Sequence, residues 1–216
     1  MHIDIVLDVA CPWCFIGKRR LDRALALRQD IPTTRSWRAF QLNPDLPAEG
    51  IARDLFLVAK FGSVGQALSS YGAVAAAARR EGIEFAFERI RRTPNTLLAH
   101  RLIRLAAAEG RGEALVDALF CAYFIDGVDI GNADSLARVA GRAGIDRSHA
   151  RAYLAGAAGT AEVLAEDQRA RRLGIHAVPC FVIERGYAIS GAQEPEMFLP
   201  LFDLAAGIGN PETVKS

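Results

Sequence analysis

The chain has 216 residues, enough to bury a complete hydrophobic core. It is 51% apolar and 24% charged, and 26 basic residues against 25 acidic ones leave a net charge of +1. That balance gives no electrostatic reason to expect nucleic acid or an anionic membrane as a partner. No apolar run approaches the ~20 residues of a membrane-spanning helix, and four cysteines do not suggest a disulfide scaffold here.

Met1 leads directly into Ile3-Asp4-Ile5-Val6-Leu7, with Cys11 close behind. That leaves no room for a secretory leader, so the expected location is the cytoplasm. Ile3 to Asp8 reads as a short buried strand of β-branched and aliphatic residues. Pro12 then opens a helix whose apolar side carries Ile16, Leu21 and Leu25, with Lys18, Arg19, Arg20 and Arg23 expected on a basic outer face. Thr33 to Leu42 reads as a second strand ending at Asn43-Pro44. Strand, helix, strand in that order predicts a parallel first pair.

From Ile51 to Leu173 the periodicity is mainly helical, over Ala52–Phe61, Val64–Glu81, Asn95–Glu109, Glu113–Phe124, Ala133–Ala143, Arg147–Ala155 and Thr160–Leu173. Gly62, Gly82, Gly110, Gly144 and Gly174 punctuate these segments as left-handed helix ends. Ile83 to Phe87 alternates and reads as extended, while the arginine clusters at 89–92 and 169–172 read as solvated faces. After Pro179, Cys180 to Glu184 and Tyr187 to Ser190 form an expected hairpin turning at Arg185-Gly186. A last helix is expected from Pro195 to Ala206. The layout predicts a mixed four-stranded sheet covered on both faces.

The chemistry is concentrated in Cys11-Pro12-Trp13-Cys14. Cys11 sits where the first helix begins, and unpaired backbone N–H groups and the helix dipole favour negative charge there. Both stabilise a thiolate, the nucleophile of disulfide exchange. Cys14, one turn later on the same face, is placed to resolve a mixed disulfide. Cys11 and Cys14 are therefore the candidate catalytic pair. A zinc knuckle would need two further ligands, and Cys121, Cys180, His2, His100, His149 and His176 show no such spacing. No metal is expected. Asp8 reads equally as a proton acceptor for Cys14 or as a strand-end cap. Asn95 reads as a helix start, His100 as a satisfied polar contact, and Cys121 and Cys180 as core thiols.

The stretch from Asp8 to Arg19 resembles the DsbA family and, within it, the FrnE-like oxidoreductases. Pro94-Asn95-Thr96 with Ala99-His100-Arg101-Leu102, Tyr123-Phe124 with Gly127 and Asp129-Ile130-Gly131, and Gly174-Ile175 through Val178-Pro179 to Gln193 carry the same likeness. The resemblance implies an α/β thioredoxin fold, with a large all-helical domain inserted between its βαβ and ββα halves. Residues 1–48 and 174–216 would form the thioredoxin-like part, and 49–173 the insertion. It also implies a cis Val178–Pro179 bond facing the cysteines, and a substrate-binding set of Pro12, Trp13, Val178 and Pro179. The implied activity is protein disulfide oxidoreductase or isomerase. No cofactor is implied beyond glutathione as an optional co-substrate. The expected partners are a disulfide-containing protein or a low-molecular-weight thiol, with a homodimer as the oligomeric alternative. The related 2-hydroxychromene-2-carboxylate isomerases and kappa-class glutathione transferases use a serine where this chain has Cys11. They supply the rival reading of a glutathione-dependent isomerase or transferase, and a chaperone-like binding protein is a second rival.

Overall fold

In the computed structural model, which describes residues 1–208, β1 (His2–Leu7) is the centre of the architecture. It pairs in parallel with β2 (Thr34–Ala39), from His2 opposite Thr34 to Leu7 opposite Ala39. On its other side it pairs antiparallel with β5 (Cys180–Ile183), which pairs antiparallel with β6 (Tyr187–Ser190). The sheet order is β2-β1-β5-β6. Helix α1 (Pro12–Ala26) links β1 to β2, and α9 (Leu199–Ala205) closes the chain after a 3-10 turn at Pro195–Met197. Ile3, Ile5, Val6 and Leu7 of β1 are all buried, as a central strand with cover on both faces requires.

Between β2 and β5 lie α2 (Arg53–Phe61), α3 (Val64–Arg80), α4 (Leu97–Ala108), α5 (Gly112–Phe124), α6 (Ala133–Arg142), α7 (Arg147–Ala155) and α8 (Thr160–Arg172). This is a thioredoxin fold interrupted by a helical insertion. Several helix starts are chemically signed: Ser63, Asn132 and Asp146 each accept a backbone N–H three residues on. All five glycines expected at helix ends have positive φ. A two-residue ladder of β3 (Ile51–Ala52) on β4 (Arg92–Thr93) is added to the helices and clamps the entry to α2.

Four local expectations fail wholly or in part, each for a physical reason. Ile83 to Ala86 is non-helical, as read, but irregular and without a strand partner, and Phe87 departs by opening a 3-10 turn over Phe87–Arg89. Its alternation serves the core instead, with Phe85 against Phe124 at 5.2 Å and the Ala86 N–H on the Phe124 carbonyl. The final hairpin turns across Arg185-Gly186 as expected but takes Glu184 into the loop as well, with Glu184 and Arg185 both at positive φ (49° and 56°). The Arg169–Arg172 cluster is not wholly solvated, because Arg171 holds Asp167 and lies 4.4 Å over the Phe40 ring.

The fourth failure is the outer face of α1. Lys18 and Arg20 are 2% and 5% exposed. The insertion packs on that face and brings acids with it: Lys18 meets Asp117 at 2.7 Å as well as Asp22 of its own helix at 2.9 Å, and Arg20 meets Glu81 at 3.0 Å. Beside them Phe15 stacks on Phe120 of α5 at 4.9 Å and an interplanar angle of 2°. The helix that carries the cysteines is thus fixed to the insertion by charge and by aromatic contact. The last eight residues of the expected thioredoxin-like part, 209–216, lie outside the described residues.

Candidate active site

The turn between β1 and α1 is built by Asp8, which is 1% exposed. One of its carboxylate oxygens accepts the Ala10 N–H at 3.0 Å, and the other accepts the Leu42 N–H at 2.8 Å. Its backbone carbonyl accepts the Cys11 N–H at 3.0 Å. Of the two sequence readings of Asp8, the capping one is therefore realised, and it also ties in the loop after β2. His100, equally buried, approaches with Nε2 at 3.7 Å from Asp8, too long for a hydrogen bond. That nitrogen has no partner among the described residues, so the expected satisfied contact is corrected to an unsatisfied one.

Cys11 is the N-cap residue of α1, extended at φ −95° and ψ 115°, and Pro12 takes the first helical position. The Cys11 side chain makes no capping bond to its own helix. Its Sγ lies 3.7 Å from the Val178 carbonyl instead. The Val178–Pro179 bond is cis, as the resemblance implied, and the Pro179 carbonyl accepts the Gly191 N–H at 2.8 Å. Cys14 is 1% exposed. Burial, reinforced by the adjacent Cys11 sulfur, pushes its thiol well above its ordinary value. Burial also pushes up Cys121 and Cys180, and both pack on or in the core as expected.

Cys11, Pro12, Trp13 and Val178 share one cavity of about 380 Å³. Trp13 is 36% exposed at its edge. Cys14 does not line it, and Pro179 lies behind Val178, packed where a Cβ on Gly17 would come within 2.7 Å of its Cγ. The far wall comes from the insertion: Arg53, Phe56 and Lys60 of α2, Tyr71 of α3, and Tyr123 and Phe124 of α5. None of these was legible as a site residue, since each sits in a helical period that reads as core or as solvated surface. Asn95 stays outside the cavity. Its side chain accepts from the Leu97 N–H and from Gln41, and donates to the Leu46 carbonyl, so it fixes the start of α4 against the loop after β2.

A cysteine pair at a helix start, opposite a cis proline, is the arrangement through which thioredoxin folds exchange disulfides. Residues 2–202 match the description DSBA-like thioredoxin domain. The chain belongs to that family. A probable DsbA oxidoreductase of Streptomyces coelicolor is similar over 98% of this chain and 92% of its own, at 36% identity and a TM-score of 0.88. A 2-hydroxychromene-2-carboxylate isomerase shares the fold at 19% identity and a TM-score of 0.68, covering 96% and 95% of the two chains. So does the cytosolic disulfide reductase DsbM of Pseudomonas aeruginosa, solved with GSH, at 16% identity and a TM-score of 0.63 over 96% of each chain. The isomerase and the reductase thus share this chain's fold. Among the described residues no helix is long and apolar enough to cross a membrane.

Proposed function

We propose that this DsbA-like protein is a thiol–disulfide oxidoreductase in which Cys11 is the nucleophile and Cys14 the resolving thiol. One observation carries the reading: Cys11 lines the open cavity at the helix start, whereas Cys14 is sealed behind it and its thiol is held protonated by burial. An attacking thiolate needs access, and a resolving thiol needs only to reach the first sulfur. Pro12, Trp13, Val178 and Pro179 form the substrate-contacting surface in this reading, and the two units divide at 1–48 with 174–216 against 49–173. The setting is cytoplasmic, where reduction or isomerisation outweighs net oxidation. No cofactor is required, and glutathione serves as a co-substrate, a role favoured by the DsbM relative solved with GSH.

The isomerase relative favours a second reading, a glutathione-dependent isomerisation at the same site. Insulin reduction separates the two. Cys11→Ser should abolish it, and Cys14→Ser should accumulate a mixed disulfide on Cys11, seen by intact-mass spectrometry. Adducts that persist on Cys14 in Cys11→Ser would reverse the roles. Glutathione-dependent conversion of a hydroxychromene carboxylate that survives in Cys14→Ser, with no insulin reduction by the wild type, would establish the second reading instead.

A further inference from the structure

The wall of the cavity opposite Cys11 combines two features that structural roles alone do not explain. It is aromatic, with Phe56, Tyr71, Phe87 and Phe124 lining it. It also carries two cations. Arg53 donates to the hydroxyls of Thr93 and Tyr71 and lies over the Phe56 and Tyr71 rings. Lys60 lies over the Phe56 and Phe61 rings at 5.3 and 5.8 Å. Neither cation has a carboxylate within 4 Å among the described residues, whereas Lys18, Arg20, Arg38, Arg104 and Arg171 are each paired with one.

A guanidinium held by two hydroxyls keeps N–H donors free and cannot itself accept, so its complement is an anion. A flat apolar body would match the rings beside it. The volume of about 380 Å³ is in the range of small-molecule sites. We infer that this cavity binds a low-molecular-weight disulfide carrying a carboxylate on an aromatic or similarly flat apolar group, with Arg53 as the anion anchor and Lys60 assisting at the rim. The inference rests on the oxidoreductase reading of Cys11 and Cys14.

For a disulfide R–S–S–R′, the Cys11 thiolate forms a bond to one substrate sulfur, the S–S bond breaks, and R′–S⁻ leaves and takes up a proton. Cys14, giving up its proton, attacks the Cys11 sulfur; the mixed disulfide breaks, and R–S⁻ leaves and takes up that proton. The substrate gains two electrons as two thiols, and Cys11 and Cys14 lose two as a disulfide. A second turnover requires a low-molecular-weight thiol or a dithiol protein as reductant.

Two probes test the inference on the reduced full chain. In single turnover, the carboxylated aryl disulfide 5,5′-dithiobis(2-nitrobenzoate) is compared with neutral 4,4′-dithiodipyridine, on wild type, Arg53→Gln and Lys60→Gln. Arg53→Gln should slow the anionic probe about 10- to 100-fold, as expected for a lost charge-assisted hydrogen bond, and leave the neutral one within about 3-fold. Exposed Lys60 should show the same sign with a smaller change, and it keeps the test valid if Arg53→Gln folds poorly. Independently of any redox step, 2-naphthoate should protect Cys11 from iodoacetamide in wild type but not in Arg53→Gln, whereas 2-naphthamide should not protect either. Equal effects on both disulfides, or protection indifferent to the carboxylate, would overturn the inference while leaving the oxidoreductase reading intact. Failure of Cys11 to react with either disulfide would overturn that reading and this inference with it.

Discussion

Replacing Lys18 by Met tests whether α1 is held to the insertion by charge. The methionine keeps the unbranched apolar stem in its packed site and removes only the ammonium. Three acids then lose their shared partner: Asp117, whose other oxygen already has no partner among the described residues, Asp22 and Glu113. Breaking a buried pair by deleting one member costs about 3–5 kcal/mol. Here the acids are between 29% and 44% exposed and regain hydration when freed, and Arg35 still neutralises Asp22 and Glu113. The expected loss is therefore about 2–3 kcal/mol, or roughly 4–12 °C in Tm for a chain of this size.

Urea unfolding at pH 7 measures it, and a pH series checks the origin. Burial pulls the Lys18 ammonium toward neutrality, but the Asp117 hydrogen bond and the charges of Asp22 and Asp117 outweigh it, so the net shift is upward. A raised folded-state value means the stabilisation is fully present below the ordinary lysine value, about 10.4. It is lost as pH rises through the folded value. The gap between wild type and Lys18→Met should be constant from about pH 6 to 9 and close at more alkaline pH. A variant within about 0.5 kcal/mol of wild type at pH 7 would show that the cluster contributes nothing net, since ordinary surface changes scatter by that much.

Two further outcomes are expected. Gly17→Ala should gain about 0.5–1 kcal/mol of helix propensity but lose more than that, because its Cβ would stand 2.7 Å from Pro179 Cγ and 3.3 Å from Phe181 Cζ; net destabilisation of about 1–2 kcal/mol in urea is the check. In a double-mutant cycle of Phe15→Leu and Phe120→Leu, the stacked pair should show a coupling of about 0.5–1.5 kcal/mol, and additive losses would deny it.

The parallel β1–β2 pair, the helix ends and the cysteine turn were legible because each is written locally. A run of β-branched and aliphatic residues, a glycine after a helical run, and Cys-Pro-Trp-Cys at a strand end all act within a few residues. Lys18 and Arg20 were not legible for the opposite reason. Their side of α1 is polar by sequence, and only the arrival of Glu81 and Asp117 from the insertion turns it into an interior face. The same holds for Ile83 to Phe87, whose alternation matches a strand but finds aromatic rings in place of a strand partner. At the site, Cys11 and Cys14 came from local signals, and Trp13 and Val178 from the family resemblance. Arg53, Lys60 and Tyr71 did not, since a cation or a tyrosine on a helix of mixed polarity reads as solvated surface until the tertiary fold turns it toward a cavity.

This division bears on how the site works. The groups that touch sulfur all belong to the β1–α1 turn and the loop before β5, and Asp8 fixes that turn with its two carboxylate oxygens on the backbone N–H groups of Ala10 and Leu42, from separate loops. Such a turn cannot shift without breaking two hydrogen bonds in a buried place, each costing about 1–3 kcal/mol to leave unmade. The wall facing it rests on the insertion, where Arg53 is positioned by Thr93, Tyr71 and the short β3–β4 ladder. Changes in that wall can alter which molecule reaches Cys11 while the geometry of the sulfur pair stays as Asp8 sets it. In the proposed reading, reactivity and selectivity are carried by different segments of the chain and should vary separately.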